Sequence, residues 1–208
     1  MLTLSRRRGF KNYWCIEKND EFLGYIQKER IPNIETIELD SALETKILNW
    51  IDEDTQHAVS EKALYLLSRS SLNENKLIFK LKNYDFNEKY INKTILQMKS
   101  YGYLNDEQLI KFAIEEFLEQ KIGPMKIKEK LFQRKFNKIL IETMIDKYDI
   151  FNISYTDKAI ELLKRKNKCP YDKKSKEKAY RFLLSRGFDY ETSNKAINST
   201  YKENNSFD

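Results

Sequence analysis

Lys76, Lys126 and Lys178 stand 50 and 52 residues apart, each followed directly by an apolar residue (Leu77, Ile127, Ala179) and four later by a leucine (Leu81, Leu131, Leu183). In a helix the two apolar positions share one face, and the lysine lies off it. Lys80, Lys130 and Arg134 extend the same positive side. A denser group, Lys164, Arg165, Lys166, Lys168, Lys173, Lys174 and Lys176, surrounds Pro170 and runs on to Lys178. Such arrays can hold a phosphate backbone by displacing its counterions. The competing reading is plainer: a lysine-rich chain covers its helices with solvated charge.

Catalytic chemistry finds little support. His57 is the sole imidazole and reads as a surface or capping residue near a helix start. The carboxylates of "DEDT" (Asp52 to Thr55) and Glu115-Glu116 read as partners of helix dipoles or as solvated faces. There is no glycine-rich phosphate loop. Cys15 and Cys169 are far apart and read as packing residues. Two lone cysteines and one histidine argue against a zinc site and suit a reducing cytoplasm better than a disulfide scaffold. No enzyme activity, metal or cofactor is expected. No apolar run approaches the roughly 18 residues of a membrane span. The arginine run of "SRRRGF" is followed by polar sequence rather than by a leader's apolar core.

The elements that carry the basic residues are helical. Five glycines and three prolines in 208 residues are too few for a long all-β chain, so the expected fold class is mainly α. Residues 10–39 differ. "FKNYWCI" (Phe10 to Ile16) and "FLGYIQ" (Phe22 to Gln27) are aromatic and β-branched around a turn-prone "EKNDE", which predicts a hairpin. A third strand is possible at Ile34–Leu39. Asp40 or Ser41 then caps a helix over Ala42 to Glu53, with Leu43, Ile47, Trp50 and Ile51 on one face.

From Thr55 the pattern repeats near fifty residues. Phe86-Asn87, Phe136-Asn137 and Phe188-Asp189 recur at 50 and 52, as do Asn73, Gly123 and Ser175 upstream. The Asx residues predict caps for the third helix of each unit, with the Phe stapling one turn in. Asn73, Gly123 and Ser175 predict caps for the second helix, and Pro124 suits a first helical position. The predicted helices are 55–69, 74–84 and 88–101; 106–121, 124–135 and 138–148; 157–167, 176–186 and 190–203. Domain boundaries follow: 1–57 as a β-hairpin plus helix, then three-helix repeats at 58–104, 105–152 and 153–208. Tight joints such as Gly102 before "LNDEQL" predict tandem packing in an elongated, curved arrangement. The charge is uneven, with 8 basic and 11 acidic residues in 1–57 against 13 and 8 in 153–208. This permits a polyanionic partner at the C-terminal end. Tyr65, Tyr84, Tyr90, Tyr101, Tyr103, Tyr180 and Tyr190 sit at helical spacings that suit core or interface. Stacking on bases would need exposed rings in a basic groove.

"YGYLNDEQLIKFAIEEFLEQKIGPMKIKEKLFQRKF" (101–136) resembles the signature of the RecX family, bacterial modulators of the RecA recombinase. "ALYLLSRSSLNENKLIFKLKNYDF" (63–86) resembles that family's first repeat and "KAYRFLLSRGFDYE" (178–191) its C-terminal one. The likeness spans about residues 58–200. It departs where Asp85 and Lys135 replace a glycine that only Gly187 keeps, where Lys76 replaces a glutamate, and where Glu115, Glu116 and Glu119 occupy a helix that is often arginine-rich. The resemblance implies a cytoplasmic, monomeric, non-enzymatic protein of DNA repair and the SOS response. It implies binding to the RecA–single-stranded-DNA filament and restraint of the recombinase, with DNA contacted directly or through RecA. The basic residues above would then face filament or DNA. A helical-repeat protein that binds nucleic acid by itself is the alternative.

Overall fold

The computed structural model describes residues 2–32, 40–151 and 155–205, and the chain divides into two compact units, Met1–Leu104 and Asn105–Asp208. The expected strand at Ile34–Leu39 lies outside the described residues. The first unit opens with a three-stranded antiparallel sheet in the order β1 (Leu2–Ser5), β2 (Tyr13–Lys18), β3 (Glu21–Gln27). The predicted hairpin is β2–β3. Its two-residue turn, Asn19-Asp20, has φ of 52° and 65°, the left-handed pair that matches strand twist. The sequence reading missed β1, a short alternating strand that pairs Leu2 with Lys18 and Ser5 with Cys15.

Alternate residues of the sheet feed two clusters. Trp14, Ile16 and Ile26 join Leu2, Ile31 and Ile47, with Leu43, Trp50 and Ile51 packed against them. Tyr13, Cys15 and Tyr25 join Phe10, Ala58, Val59, Ala63, Leu77 and Leu81. Both clusters draw on α1 (Ser41–Arg69), a single 29-residue helix capped by Asp40, whose carboxylate accepts from Leu43 N at 2.7 Å. This corrects the two helices expected at 42–53 and 55–69. Without Gly or Pro to stop it, the helix runs through the polar "DEDT" stretch, because the sheet satisfies its buried part. Asp54 is fully buried and accepts from Gln27 N (3.0 Å), Gln27 Nε2 (3.0 Å) and Arg30 Nη2 (2.8 Å). Thr55 Oγ1 accepts from Tyr25 N at 2.9 Å. These two residues clamp helix to sheet and are not the solvated face expected of them. Gly24 allows the approach, since a Cβ there would lie 2.3 Å from Thr55 Oγ1. α2 (Glu74–Lys82) and α3 (Glu88–Ser100) pack on α1 and on each other.

The second unit holds α4 (Asp106–Glu119), α5 (Pro124–Gln133), α6 (Lys138–Phe151), α7 (Tyr155–Arg165), α8 (Lys173–Ser185) and α9 (Tyr190–Asn205). α4, α5 and α6 pack pairwise, and α9 packs on both α7 and α8. The repeat-related apolar positions Leu77, Leu81, Ile127, Leu131, Ala179 and Leu183 are all buried to within 1%. The Phe-Asx caps form as expected. Asn87 accepts from Lys89 N (2.9 Å), Asn137 from Ile139 N (2.9 Å) and Asp189 from Thr192 N (2.7 Å). Asn73 and Gly123 cap the second helices of their sets. Ser175 does not. α8 begins three residues earlier, at an Asp172 cap, and Ser175 closes a capping box with it.

The turn before each Phe-Asx step explains the missing glycines. Asp85, Lys135 and Gly187 all hold left-handed backbone, with φ of 58°, 64° and 87°. Asp85 offsets the strain with an ion pair to Arg7 at 2.5 Å. Gly187 has no room for a side chain, since a Cβ would sit 2.3 Å from Lys126 Cβ. Lys135 is exposed, and its strain is of the order of 1 kcal/mol. Lys135→Gly relieves that strain and loses part of the gain to unfolded-chain entropy. We expect a net stabilisation of about 0.5 kcal/mol in urea unfolding; an unchanged or lowered midpoint would contradict this account of the turn.

Candidate functional site

The basic residues singled out in the sequence separate into groups with different surroundings. On α2, Lys80 is exposed and Lys76 is half-buried in the first turn, its N–H donating to Asn73 Oδ1 at 2.9 Å. On α5, packing within the second unit occupies the side chains. Lys126 Nζ donates to Ser185 O at 3.2 Å. Lys130 and Arg134 lie over the ring of Phe117, at 5.3 and 4.6 Å from its centroid, and Arg134 also reaches Glu116 at 3.6 Å. The acidic face of α4 therefore partly neutralises α5, and these three residues join helices as much as they present charge.

The segment from α7 to α8 is different. Lys164, Arg165, Lys166 and Lys168 are exposed at and just beyond the C-terminal end of α7, where positive charge complements the helix dipole. Lys173, Lys174 and Lys176 occupy the first turn of α8, where positive charge opposes the dipole at a cost of roughly 0.3–1 kcal/mol each. Lys173 and Lys174 are exposed. Lys176 is half-buried, with its ammonium 3.4 Å from the Tyr201 ring centroid, and Lys168 lies 3.9 Å from that of Phe182.

Local capping holds this arrangement. Asp172 accepts from Ser175 N at 2.6 Å, while Tyr171 N and Asp172 N donate to Ser175 Oγ at 3.0 and 2.9 Å. The Ser175 bonds, with Lys174 and Lys178 nearby, hold the Asp172 carboxyl below its ordinary value, so it stays ionised beside the lysines of this turn. Lys168, Lys174 and Lys178 share a cleft of about 230 Å³ with Asp172, Ser175 and Tyr171. The Tyr171 ring is 71% exposed, which makes it an exposed aromatic in a basic cleft. The sequence reading missed it, because Tyr171 belongs to none of the helical columns that drew notice to the other tyrosines. A signal was present in its position, one residue after Pro170 within the lysine cluster.

His57 lies mid-helix in α1, not at a helix start, with Nδ1 2.6 Å from the Tyr13 hydroxyl, which donates to Glu61 Oε2 at 2.6 Å. Burial first, then Glu61, raises the Tyr13 hydroxyl far above its ordinary value, so it remains a donor. Lys121, in left-handed backbone after α4, pairs with Glu161 of α7 at 2.6 Å and holds that carboxyl below its usual range. Among the described residues no group of three His, Cys, Asp or Glu side chains could hold a metal ion, and no helix is long and apolar enough to cross a membrane.

Comparison with known proteins agrees with this architecture. A family model described as RecX, third three-helix domain, matches residues 154–197, the stretch of α7, α8 and the first half of α9. The regulatory protein RecX of Clostridium perfringens (strain 13 / Type A) is 30% identical over 187 residues, covering 86% of this chain and 82% of its own. That of Caldanaerobacter subterraneus subsp. tengcongensis is 31% identical over 139 residues, covering 66% and 68%. A crystal structure of regulatory protein RecX superposes with a TM-score of 0.59 at 16% identity, covering 95% of this chain and all of the other, and so shares its fold. By these relatives and this fold, the chain belongs to the RecX family of regulatory proteins.

Proposed function

We propose that this chain binds the RecA–single-stranded-DNA filament and restrains the recombinase, acting in the cytoplasm as a monomer and by binding rather than by catalysis. Its three-helix repeats, 58–104, 105–152 and 153–208, with 1–57 as an N-terminal addition, are the modules that make the contacts. One observation carries the reading beyond family membership: Lys173, Lys174 and Lys176 sit at the start of α8, where positive charge opposes the helix dipole. Charge kept at a position where it opposes folding fits a role in binding, and an extended polyanion is the ligand such charge suits. The exposed cluster at the end of α7 adds four more positive side chains to the same segment. The α5 residues, engaged with Phe117, Glu116 and Ser185, contribute less.

The test is RecA-promoted strand exchange with the intact chain and with Lys164, Arg165, Lys166 and Lys168 all changed to alanine. These positions are exposed, so the fold is expected to survive. The unmodified chain inhibits exchange, and the quadruple variant needs at least tenfold more protein for the same inhibition. Equal inhibition by both would remove the α7 end from the mechanism.

A further inference from the structure

Among the described residues of the first unit, packing leaves the Lys62 ammonium without an acid partner. Lys62, on α1, is only 8% exposed. Its ammonium lies over three rings, 4.3 Å from the Tyr84 centroid, 5.0 Å from Phe10 and 5.3 Å from Tyr65. Among the described residues, the oxygen it reaches is the Gly9 carbonyl, at 3.5 Å, the outer limit of a hydrogen bond. The neighbouring acid, Glu61, is engaged by the Tyr13 hydroxyl. Ring faces offset part of the cost of a largely buried cation, but an ammonium carries three donors, and those not met by Gly9 O are open to the cleft beside it.

The same lysine lines an open cleft of about 410 Å³ between the Gly9–Tyr13 segment and α1. The cleft is large enough for a small ligand. Lys11 adds a second positive charge to its wall, Asn12 an amide, Glu61 a carboxylate and Tyr65 a ring that is 54% exposed. A simple polyanion site would not include the Glu61 carboxylate. A ligand with one anionic group, one flat face and a hydrogen-bonding edge uses all of these groups at once.

We propose that this cleft takes a nucleoside monophosphate unit. The phosphate meets the ammonium groups of Lys62 and Lys11, the base lies on Tyr65, and Asn12 and Glu61 meet the base edge. The inference rests on the DNA-filament reading above and adds to it a contact in the first unit, separate from the α7–α8 cluster. The unit can come from a DNA strand or from a free nucleotide.

Amide NMR of the whole chain separates these outcomes. The signals of Gly9, Lys11 and Tyr65 are followed during titration with an oligothymidylate and with thymidine monophosphate. The expected result is saturable movement of all three with the oligonucleotide. Lys62→Met, which keeps the packing stem, weakens that response at least tenfold, and Tyr65→Ala weakens it about fivefold. If thymidine monophosphate moves the same signals, a free nucleotide suffices; if it does not, the site needs a strand. If neither ligand moves them, or both variants respond as the unmodified chain does, the cleft is not a nucleotide site. Movement confined to α7 and α8 would overturn the cleft while leaving the filament reading intact.

Discussion

Gly123→Ala is expected to destabilise the Asn105–Asp208 unit by about 3 kcal/mol or more, lowering its unfolding midpoint by on the order of 10 °C. The reason lies in where α5 begins. Gly123 N donates to Arg186 O at 2.9 Å, and Met125 N donates to Gly187 O at 3.1 Å, so the first turn of α5 is docked on the turn that ends α8. A Cβ on Gly123 would lie 2.3 Å from Gly187 C and 2.4 Å from both Gly187 O and Phe188 N. Those are backbone atoms, and no rotamer change can move them away. The alanine must separate the two elements, breaking both hydrogen bonds and opening the core beside Phe188, which is fully buried. Gly102→Ala is the control. That glycine has φ +75° but open space around it, so its replacement carries only the left-handed penalty, about 1 kcal/mol. Thermal or urea unfolding of the two variants distinguishes them, and equal losses would refute the docking explanation.

The second large effect pairs two opposite changes in one variant. Lys173→Glu with Lys174→Glu replaces two cations by two anions in the first turn of α8. The helix dipole then favours the side chains it opposed. Repulsion from the ionised Asp172 and from Glu177, one turn along the helix, takes back part of the gain, leaving a net stabilisation of at most about 0.5 kcal/mol. Binding to single-stranded DNA or to the RecA filament should fall at least tenfold at about 0.1 M salt. The slope of log affinity against log salt should become shallower by about 2, one unit per lysine lost. A variant both more stable and weaker in binding is the signature of charge held for a ligand. Unchanged binding with improved stability would leave the lysines as an unexplained cost.

Local chemistry made much of this fold legible in the sequence. The Phe-Asx steps, the Asn73 cap and the apolar columns depend on residues within a few positions of one another, and they form where the fifty-residue spacing placed them. The hairpin was equally local. What escaped notice was set by distant partners. "DEDT" reads as a solvated helix start until Gln27, Arg30 and Tyr25, some 24 to 30 residues away, satisfy Asp54 and Thr55. Gly123 reads correctly as a cap, but the contact that requires glycine there comes from Gly187. The basic residues show the same division. Their positions on helices could be read, whereas the difference between Arg134, folded onto Phe117 and Glu116, and Lys173, opposing the α8 dipole, depends on tertiary packing and on a helix whose cap stands three residues before Ser175. Lys62 gave no signal, because the rings that surround it come from three separate segments of the first unit.

The central claim is that this RecX-family chain acts on the RecA filament, and RecA-dependent ATP hydrolysis on single-stranded DNA tests it most directly. Added at micromolar excess, the chain should lower the steady-state rate, and the Lys173→Glu, Lys174→Glu variant should lower it much less at the same concentration. A rate unchanged by the unmodified chain would contradict the account.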